Sequence, residues 1–202
     1  MKFKCFNFIK SKFIKPKALE SNWEVKYDGF GKITIKDEFI ILKPKVSTAE
    51  NETHAALVTT IERAKDFTLE IDAITKYQLR ENTPPNAWEV FWIFFNYNPT
   101  DDGKKKTNYF LLKPNGYELG TAWDEVEQGF SDTGDTMNLS LGEEYKYVIT
   151  KAGRNLRISV NDIVLIDKEF DADKLYDETG CIGLYSEDAE VEIKRVEFVS
   201  ND

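Results

Sequence analysis

The chain has 202 residues, of which 31% are charged and 41% are hydrophobic, and its formal net charge is −9. This length suits one domain that buries about 70% of the surface of its unfolded chain, and no second domain is required. The negative charge argues against nucleic acid as a partner, because an acidic surface repels phosphate backbones. No apolar run approaches the ~20 residues that a membrane helix needs.

The first twenty residues are predicted to form a basic arm ahead of a domain that spans residues 21–202. Residues 1–19 carry six lysines and no acidic residue, interleaved with apolar side chains. They lack the uninterrupted apolar core of a secretory signal, which leaves the cytoplasm as the default location. A basic amphipathic helix on an anionic membrane surface has this composition. Ser11 and Pro16 interrupt a long helix, so we favour an extended arm or an edge strand.

From residue 21 onward the sequence predicts a succession of strands. Short runs of alternating polarity separated by turns are typical of an all-β sandwich. The length and aromatic content of the strands favour two antiparallel sheets packed face to face, with a ligand on the concave side of one of them. The predicted strands are Trp23–Tyr27, Lys32–Lys36, Phe39–Leu42, Ala55–Ile61, Phe67–Tyr77, Trp88–Tyr97, Asn108–Lys113, Tyr117–Gly120, Glu144–Ala152, Asn155–Val160, Ile163–Phe170, Cys181–Tyr185 and Glu190–Val199.

The stretch from Asn86 to Gly120 is the centre of the predicted fold. Apolar and aromatic side chains occupy both alternating faces of Trp88–Tyr97, which predicts a strand covered on both sides. Asn115-Gly116 between two apolar runs predicts a type I′ hairpin in which Lys113 faces Glu118. This charge pair is either a solvated cross-strand contact or part of a groove floored by aromatic rings, where it orients a polar ligand.

Six short motifs carry a resemblance to a known family. In chain order they are THAALVTT at Thr53–Thr60, DFTLEID at Asp66–Asp72, QLR at Gln78–Arg80, PPNAWEVFW at Pro84–Trp92, NYFLLKPNGYELG at Asn108–Gly120 and GLYSEDA at Gly183–Ala189. From about Trp23 to Val199 the chain resembles concanavalin A-like jelly-roll domains of the LamG-like or DUF1080-like kind. Members are mostly secreted and are variously labelled calcium-binding or glycoside-hydrolase-like. The resemblance implies an all-β, two-sheet antiparallel jelly-roll sandwich in a single domain.

The resemblance also implies roles for residues outside these six motifs. In the family, residues that match Gln128, Phe130, Thr133 and Gly134 line the approach to the open sheet. The last strand departs from the family, because Ile193-Lys194-Arg195-Val196 stands where Phe-Asp-Asn-Val is usual. A cation there replaces a carboxylate that would otherwise be a candidate calcium ligand.

Calcium is a candidate cofactor whose site the sequence does not fix. The ion takes about six to eight oxygen ligands, with carboxylates among them. Glu187 and Asp188 are the candidate metal ligands, and Asp101 and Asp102 supply carboxylates in another loop. Neither pair follows the spacing of a calcium loop, so solvated acidic loops are the alternative interpretation.

Glu89 and Glu118 are the candidate catalytic residues if the domain is an enzyme. Retaining glycosidases on similar sandwiches carry Glu-x-Asp-x-x-Glu on one strand, so that two carboxyls face the sugar together. Glu70-Ile71-Asp72 begins this pattern, but Thr75 stands at the third position. Polysaccharide lyases of similar fold use a histidine or tyrosine base with an arginine or glutamine beside the substrate carboxylate. Neither constellation is complete in the sequence.

Non-catalytic binding of a carbohydrate polymer needs fewer residues and is the function that we predict. Sugar rings stack their apolar CH faces on aromatic side chains, and their hydroxyls pair with polar groups at the rim. Glycoside hydrolase or polysaccharide lyase activity is the alternative, and a surface-assembly protein tethered by its basic arm is a third hypothesis. The predicted ligand-binding residues are Arg80, Trp88, Glu89, Trp92, Asn96, Tyr109, Lys113, Glu118, Trp123 and Gln128.

Overall fold

The computed structural model describes residues 22–99, 105–123 and 127–202. The basic arm of residues 1–20, its predicted membrane contact, Asp101 and Asp102 lie outside these ranges. Within them no helix has both the length and the apolar character needed to cross a bilayer. The fourteen strands of the described residues are β1 (Trp23–Tyr27), β2 (Lys32–Lys36), β3 (Phe39–Lys43), β4 (Ala55–Ala64), β5 (Phe67–Gln78), β6 (Phe91–Pro99), β7 (Lys105–Lys113), β8 (Gly116–Ala122), β9 (Gln128–Gly134), β10 (Glu144–Ala152), β11 (Asn155–Val160), β12 (Ile163–Glu169), β13 (Gly180–Glu187) and β14 (Ala189–Ser200).

The strands form two antiparallel sheets of seven strands each, which confirms the predicted all-β sandwich. The first sheet has the spatial order β1-β4-β13-β6-β7-β8-β9, and the second has the order β12-β11-β10-β5-β14-β3-β2. Each predicted strand is present, with its ends shifted by at most three residues. The edge strand β9 was not predicted, because its sequence QGFSDTG lacks apolar alternation and most of its residues are only partly buried or exposed.

The core lies between the two sheets and is built from alternate residues of their strands. Phe67 and Phe95 meet across the layers with ring centroids 5.9 Å apart, and Phe91 meets Tyr147 at the same distance. These side chains are buried, as are the aliphatic residues at the matching positions of β5 and β10. Removal of this apolar surface from water is the main force that holds the sheets together.

The central strand β6 is buried on both faces, as the sequence predicted. Phe91, Ile93 and Phe95 face the core, while Trp92 and Tyr97 on the opposite side are only 7% and 3% exposed. The strand begins at Phe91 rather than at Trp88. The preceding residues form a turn instead, in which the Glu89 N–H donates to the carbonyl oxygen of Asn86 at 3.2 Å.

The β7–β8 hairpin differs from the prediction by two residues of register, because its turn is centred on Pro114-Asn115 and not on Asn115-Gly116. Lys113 pairs with Gly116, and Leu111, not Lys113, pairs with Glu118. Pro114 explains the shift, because it lacks an N–H for the strand ladder and its fixed φ suits a turn. Lys113 still reaches Glu118 diagonally, with 2.8 Å between Nζ and Oε2. The type I′ geometry occurs instead at Asn161-Asp162, whose φ angles are 49° and 64°.

Candidate functional site

The outer face of the first sheet carries a continuous cluster of aromatic rings. Tyr185 and Trp92 are direct neighbours across β13 and β6, and Phe94 faces Tyr109 across β6 and β7. Phe94 and Tyr185 are stacked with centroids 4.8 Å apart, and the Trp92 ring lies 5.0 Å from that of Tyr109. We call this surface the aromatic face, and its rings are those of Trp92, Phe94, Tyr97, Tyr109 and Tyr185.

The middle of the aromatic face is closed by its own side chains. Tyr109 is 1% exposed and its ring lies across Gly120, where a Cβ atom would come within 2.5 Å of Tyr109 Cζ. Trp92 donates from Nε1 to the carbonyl oxygen of Trp88 at 2.8 Å. Trp92 and Tyr109, which were predicted to stack on a ligand, therefore form the floor of the site and contact neighbouring side chains.

One end of the aromatic face is open to solvent. Trp88 precedes β6 at this end and is 47% exposed. Glu187 ends β13 and lies beside it, because its N–H donates to the carbonyl oxygen of Val90 at 3.3 Å. Lys113 is the last residue of β7, which lies two strands from β13, or about 10 Å across the sheet. We call the group of Trp88, Glu187, Lys113 and Glu118 the open end.

The side chain of Glu187 lies beside the exposed tryptophan. Burial raises the pKa of Glu187, the hydrogen bond from Tyr185 opposes this shift, and the neighbouring charges of Asp188 and Glu89 reinforce it. The Tyr185 hydroxyl donates to Oε2 at 2.7 Å, and the neighbouring Trp88 side chain also opposes the rise in pKa. The partly buried Glu187 therefore holds a fixed orientation with acceptor capacity left over for a ligand.

Glu118 and Lys113 form the second polar group of the open end. Glu118 accepts from the Tyr109 hydroxyl at 3.0 Å and from Lys113 Nζ at 2.8 Å. Their side chains are 10% and 17% exposed, so the pair is largely withdrawn from water. Burial, reinforced by the Glu118 charge, raises the pKa of Tyr109, which stays a hydroxyl donor. Lys113 keeps donors that are free to meet a ligand.

Three predicted site residues belong instead to a buried ion network. Arg80 donates from Nε to Glu89 Oε1 at 2.7 Å and from Nη2 to Asp188 Oδ2 at 3.0 Å. The three side chains are between 0% and 2% exposed. The structure therefore places Arg80 and Glu89 in a buried ion network and not on the exposed surface of the open end.

The carboxylate of Asp188 is bonded to three groups of the protein itself. Its Oδ1 atom accepts from Ser47 Oγ at 2.5 Å and from the His54 N–H at 2.9 Å, while Oδ2 accepts from Arg80. Asp188 is also fully buried, so its carboxylate is not on the surface beside Glu187. The described part of the chain contains no group of three or more histidine, cysteine, aspartate or glutamate side chains that could hold a metal ion.

Asn96 is a structural residue at a β-bulge. It is fully buried with a φ of 52°, and its amide donates to the carbonyl oxygens of Lys65 at 3.0 Å and Glu178 at 2.7 Å. Its Oδ1 atom accepts from Asn108 at 3.2 Å. The predicted ligand contact of Asn96 is therefore replaced by bonds that satisfy backbone carbonyls where the ladder is interrupted.

Trp123 and Gln128 lie away from the open end. The Trp123 ring is 39% exposed and packs over Gly129, where a Cβ atom would be 3.2 Å from its edge. It lines a separate cleft of about 230 Å³ with Leu175 and Tyr176. Gln128 is exposed on the edge strand β9, opposite Ala122. The structure thus separates Trp88 and Trp123, both of which were predicted to bind the ligand.

The incomplete glycosidase pattern lies on the other sheet. Glu70 and Asp72 belong to β5, and their side chains are on the outer surface of the second sheet, where both meet Arg195 at 3.2 Å and 3.4 Å. The intervening Ile71 is fully buried in the core. The pattern therefore contributes no carboxylate to the aromatic face.

Sequence analysis missed Tyr185 and Phe94 as parts of the site. Tyr185 and Glu187 are two residues apart on β13 and therefore share one face of the sheet. This spacing was present in the motif GLYSEDA, but it identifies a site only once the neighbours of β13 are known. Thr133 is a further exposed residue beside the open end, since it pairs with Glu118 across β8 and β9.

Comparison with known proteins finds likeness in structure alone. No protein-family model matches the sequence, and no curated protein sequence is similar to it. The carbohydrate-binding module CBM66 from Bacillus subtilis aligns with a TM-score of 0.64 at 15% identity, over 89% of this chain and 96% of the module. A β-glucanase from Bacillus licheniformis aligns with a TM-score of 0.61 at 8% identity, over 97% of this chain and 100% of the enzyme.

An alginate lyase of polysaccharide lyase family 7, AlgAT5, aligns with a TM-score of 0.53 at 13% identity, over 92% of this chain and 98% of the lyase. These likenesses and the two seven-stranded sheets define the fold class. The chain is a concanavalin A-like jelly-roll sandwich, as its sequence predicted.

Proposed function

We propose that the chain binds a carbohydrate polymer at the open end of the aromatic face and does not cleave it. The observation that carries this proposal is the exposed ring of Trp88 next to the oriented carboxylate of Glu187. A half-exposed tryptophan offers a flat apolar surface for the CH face of a sugar. A small number of polar groups around such a surface is enough to fix the orientation of a ligand.

The polar groups of the open end match the hydroxyls of a sugar. Glu187 on β13 can accept hydrogen bonds from a ligand, and Lys113 on β7 can donate them. The two strands flank β6 on opposite sides. Because Tyr185 and Glu118 hold these two side chains in place, little conformational entropy is lost when a ligand binds. The same fold in a carbohydrate-binding module, a β-glucanase and an alginate lyase supports a carbohydrate ligand by analogy. Membership of the LamG-like or DUF1080-like group remains part of this proposal.

The spacing of the carboxylates favours binding over catalysis. Three strand spacings, or about 14 Å between backbones, separate β13 from Glu118 on β8. The residues paired along this line are Tyr185, Trp92, Leu111 and Glu118. Glycosidases hold their two carboxyls about 5 Å apart when they retain configuration and about 6.5–9.5 Å apart when they invert it. A backbone separation of this size does not favour Glu187 and Glu118 as a glycosidase pair, and the Glu89 side chain is only 1% exposed.

A glycan array is the experiment that tests the proposed function. We expect the full-length protein to bind one class of oligosaccharide on the array. Prolonged incubation with that oligosaccharide should leave the number of its reducing ends unchanged. Retention of no glycan would contradict the binding function. Release of new reducing ends or of unsaturated products would instead favour the hydrolase or lyase alternative.

The affinity for that oligosaccharide is expected to depend on pH through Glu187. Its raised pKa means that the carboxylate takes up a proton at a higher pH than an ordinary glutamate. Because the ionised form is the better hydrogen-bond acceptor, affinity is full above this pKa and falls as the pH drops through it. Calorimetric titrations between neutral and mildly acidic pH measure this loss. The Glu187→Gln variant should bind more weakly at neutral pH and lose the dependence. An unchanged pH profile in that variant would show that another group titrates.

A further inference from the structure

A second concave surface lies on the opposite sheet from Trp88. It is a shallow cavity of about 590 Å³ on the outer face of β2 and β3, bounded by the connection that follows β3. Its walls combine lysine ammonium groups with the apolar surface of Ile41, Val46 and Pro44. Glu190 of β14 is the only carboxylate among the described residues that line it.

Three lysines lie close together in this cavity. Lys32 and Lys43 face each other directly across β2 and β3 on the solvent side of the sheet. Like charges at such positions destabilise a strand pair. Lys45 adds a third ammonium group to the same cavity. In a chain with a net charge of −9, this local excess of positive charge is a departure from the rest of the surface.

The internal ion pairs leave one lysine of the cavity free. Lys43 lies 2.6 Å from Glu190, which also accepts from the Tyr77 hydroxyl at 2.5 Å, and Lys45 lies 3.2 Å from Glu52. Within the part of the chain that the structure describes, no carboxylate lies within ion-pair distance of Lys32. An anionic group bound between Lys32 and Lys43 would give Lys32 the counter-charge that Lys43 already has in Glu190.

Glu190 restricts which anions fit. A ligand with acceptor oxygens alone would meet the carboxylate of Glu190 unfavourably, whereas a ligand with hydroxyls can donate to it. The apolar wall of Ile41 and Val46 suits the CH surface of a small ring. We propose that this cavity binds a sugar acid, with its carboxylate between Lys32 and Lys43 and its hydroxyls toward Glu190. The proposal is independent of the function assigned to the open end.

Calorimetric or NMR titration of the full-length protein with D-glucuronate tests this assignment. Binding is expected to be weak, on the order of millimolar. Glucose lacks the carboxylate and sulfate lacks the donor hydroxyls, so both should bind more weakly. The Lys32→Gln variant should weaken glucuronate binding about fivefold, or ~1 kcal/mol. Lys36→Gln is the matched control, because Lys36 lies on the same strand and face opposite Phe39 but outside the cavity.

Several outcomes would overturn the assignment. Equal binding of glucose or of sulfate would show that the site does not recognise the two groups together. Equal loss in Lys32→Gln and Lys36→Gln would reduce the effect to general surface charge. Loss of glucuronate binding in Trp88→Ala would place the sugar acid at the open end, and absence of any binding would remove the proposal while leaving the function of the open end untouched.

Discussion

Replacement of Arg80 by methionine is expected to lower the free energy of unfolding by about 3–5 kcal/mol. The change leaves Glu89 and Asp188 buried without their shared counter-charge. It also removes hydrogen bonds from the guanidinium to the carbonyl oxygens of Ala49 at 2.9 Å and Glu52 at 3.0 Å. Urea unfolding followed by circular dichroism measures the loss.

Arg154→Met is the matched control for this result. Arg154 also pairs with a glutamate, Glu169, at 3.4 Å, but the two side chains are 43% and 62% exposed. Solvent-exposed pairs of this kind contribute no more than ~1 kcal/mol. A loss in Arg80→Met as small as that in Arg154→Met would mean that Arg80 is not the residue that stabilises the buried carboxylates. Arg80 would then return to the list of candidate ligand contacts.

The second large effect is expected at Trp88. The Trp88→Ala variant should bind the oligosaccharide found on the glycan array roughly ten- to thirtyfold more weakly, the equivalent of about 1–2 kcal/mol of stacking and apolar contact. Because the ring is 47% exposed, the fold should tolerate the change, and the melting temperature should move little.

Trp123→Ala is the matched control for Trp88→Ala. It shows whether a loss of affinity comes from the open end or from the removal of any exposed tryptophan. Trp123 is exposed to a similar degree, at 39%, but it lines the cleft with Leu175 and Tyr176. Its removal should leave the affinity for the oligosaccharide unchanged. If Trp123→Ala weakens binding as much as Trp88→Ala, the ligand does not occupy the open end alone.

Local patterns in the sequence predicted thirteen of the fourteen strands in the described residues. Alternation of polarity gave the two-sheet sandwich, and the double-sided apolar run before Tyr97 predicted that β6 is buried on both faces. The hairpin register escaped this reasoning, because the Asn115-Gly116 signal competes with Pro114, which has no N–H for the ladder. The strand β9 escaped it too, since an edge strand with little buried apolar surface leaves little periodicity in the sequence.

The residues of the site were harder to predict than the strands. A polar residue in an aromatic motif can contact a ligand, or it can form a hydrogen bond with a buried group of the protein. Its neighbours in sequence do not show which of these roles it has. The partners of Arg80 include Asp188, which is 108 residues away, so only the folded chain shows that its charge is neutralised. Asn96 is similar, because its acceptor at Glu178 comes from a distant connection. Trp88, Lys113 and Glu118 were predicted, and the structure places them at one end of the sheet.

NMR observation of the indole N–H signals of the four tryptophans during titration with the selected oligosaccharide tests most directly whether Trp88 is the binding platform. The signal of Trp88, assigned through its loss in Trp88→Ala, should shift progressively with ligand concentration while that of Trp123 stays in place. A saturable shift of Trp123 with an unmoved Trp88 would contradict binding at the open end of the aromatic face.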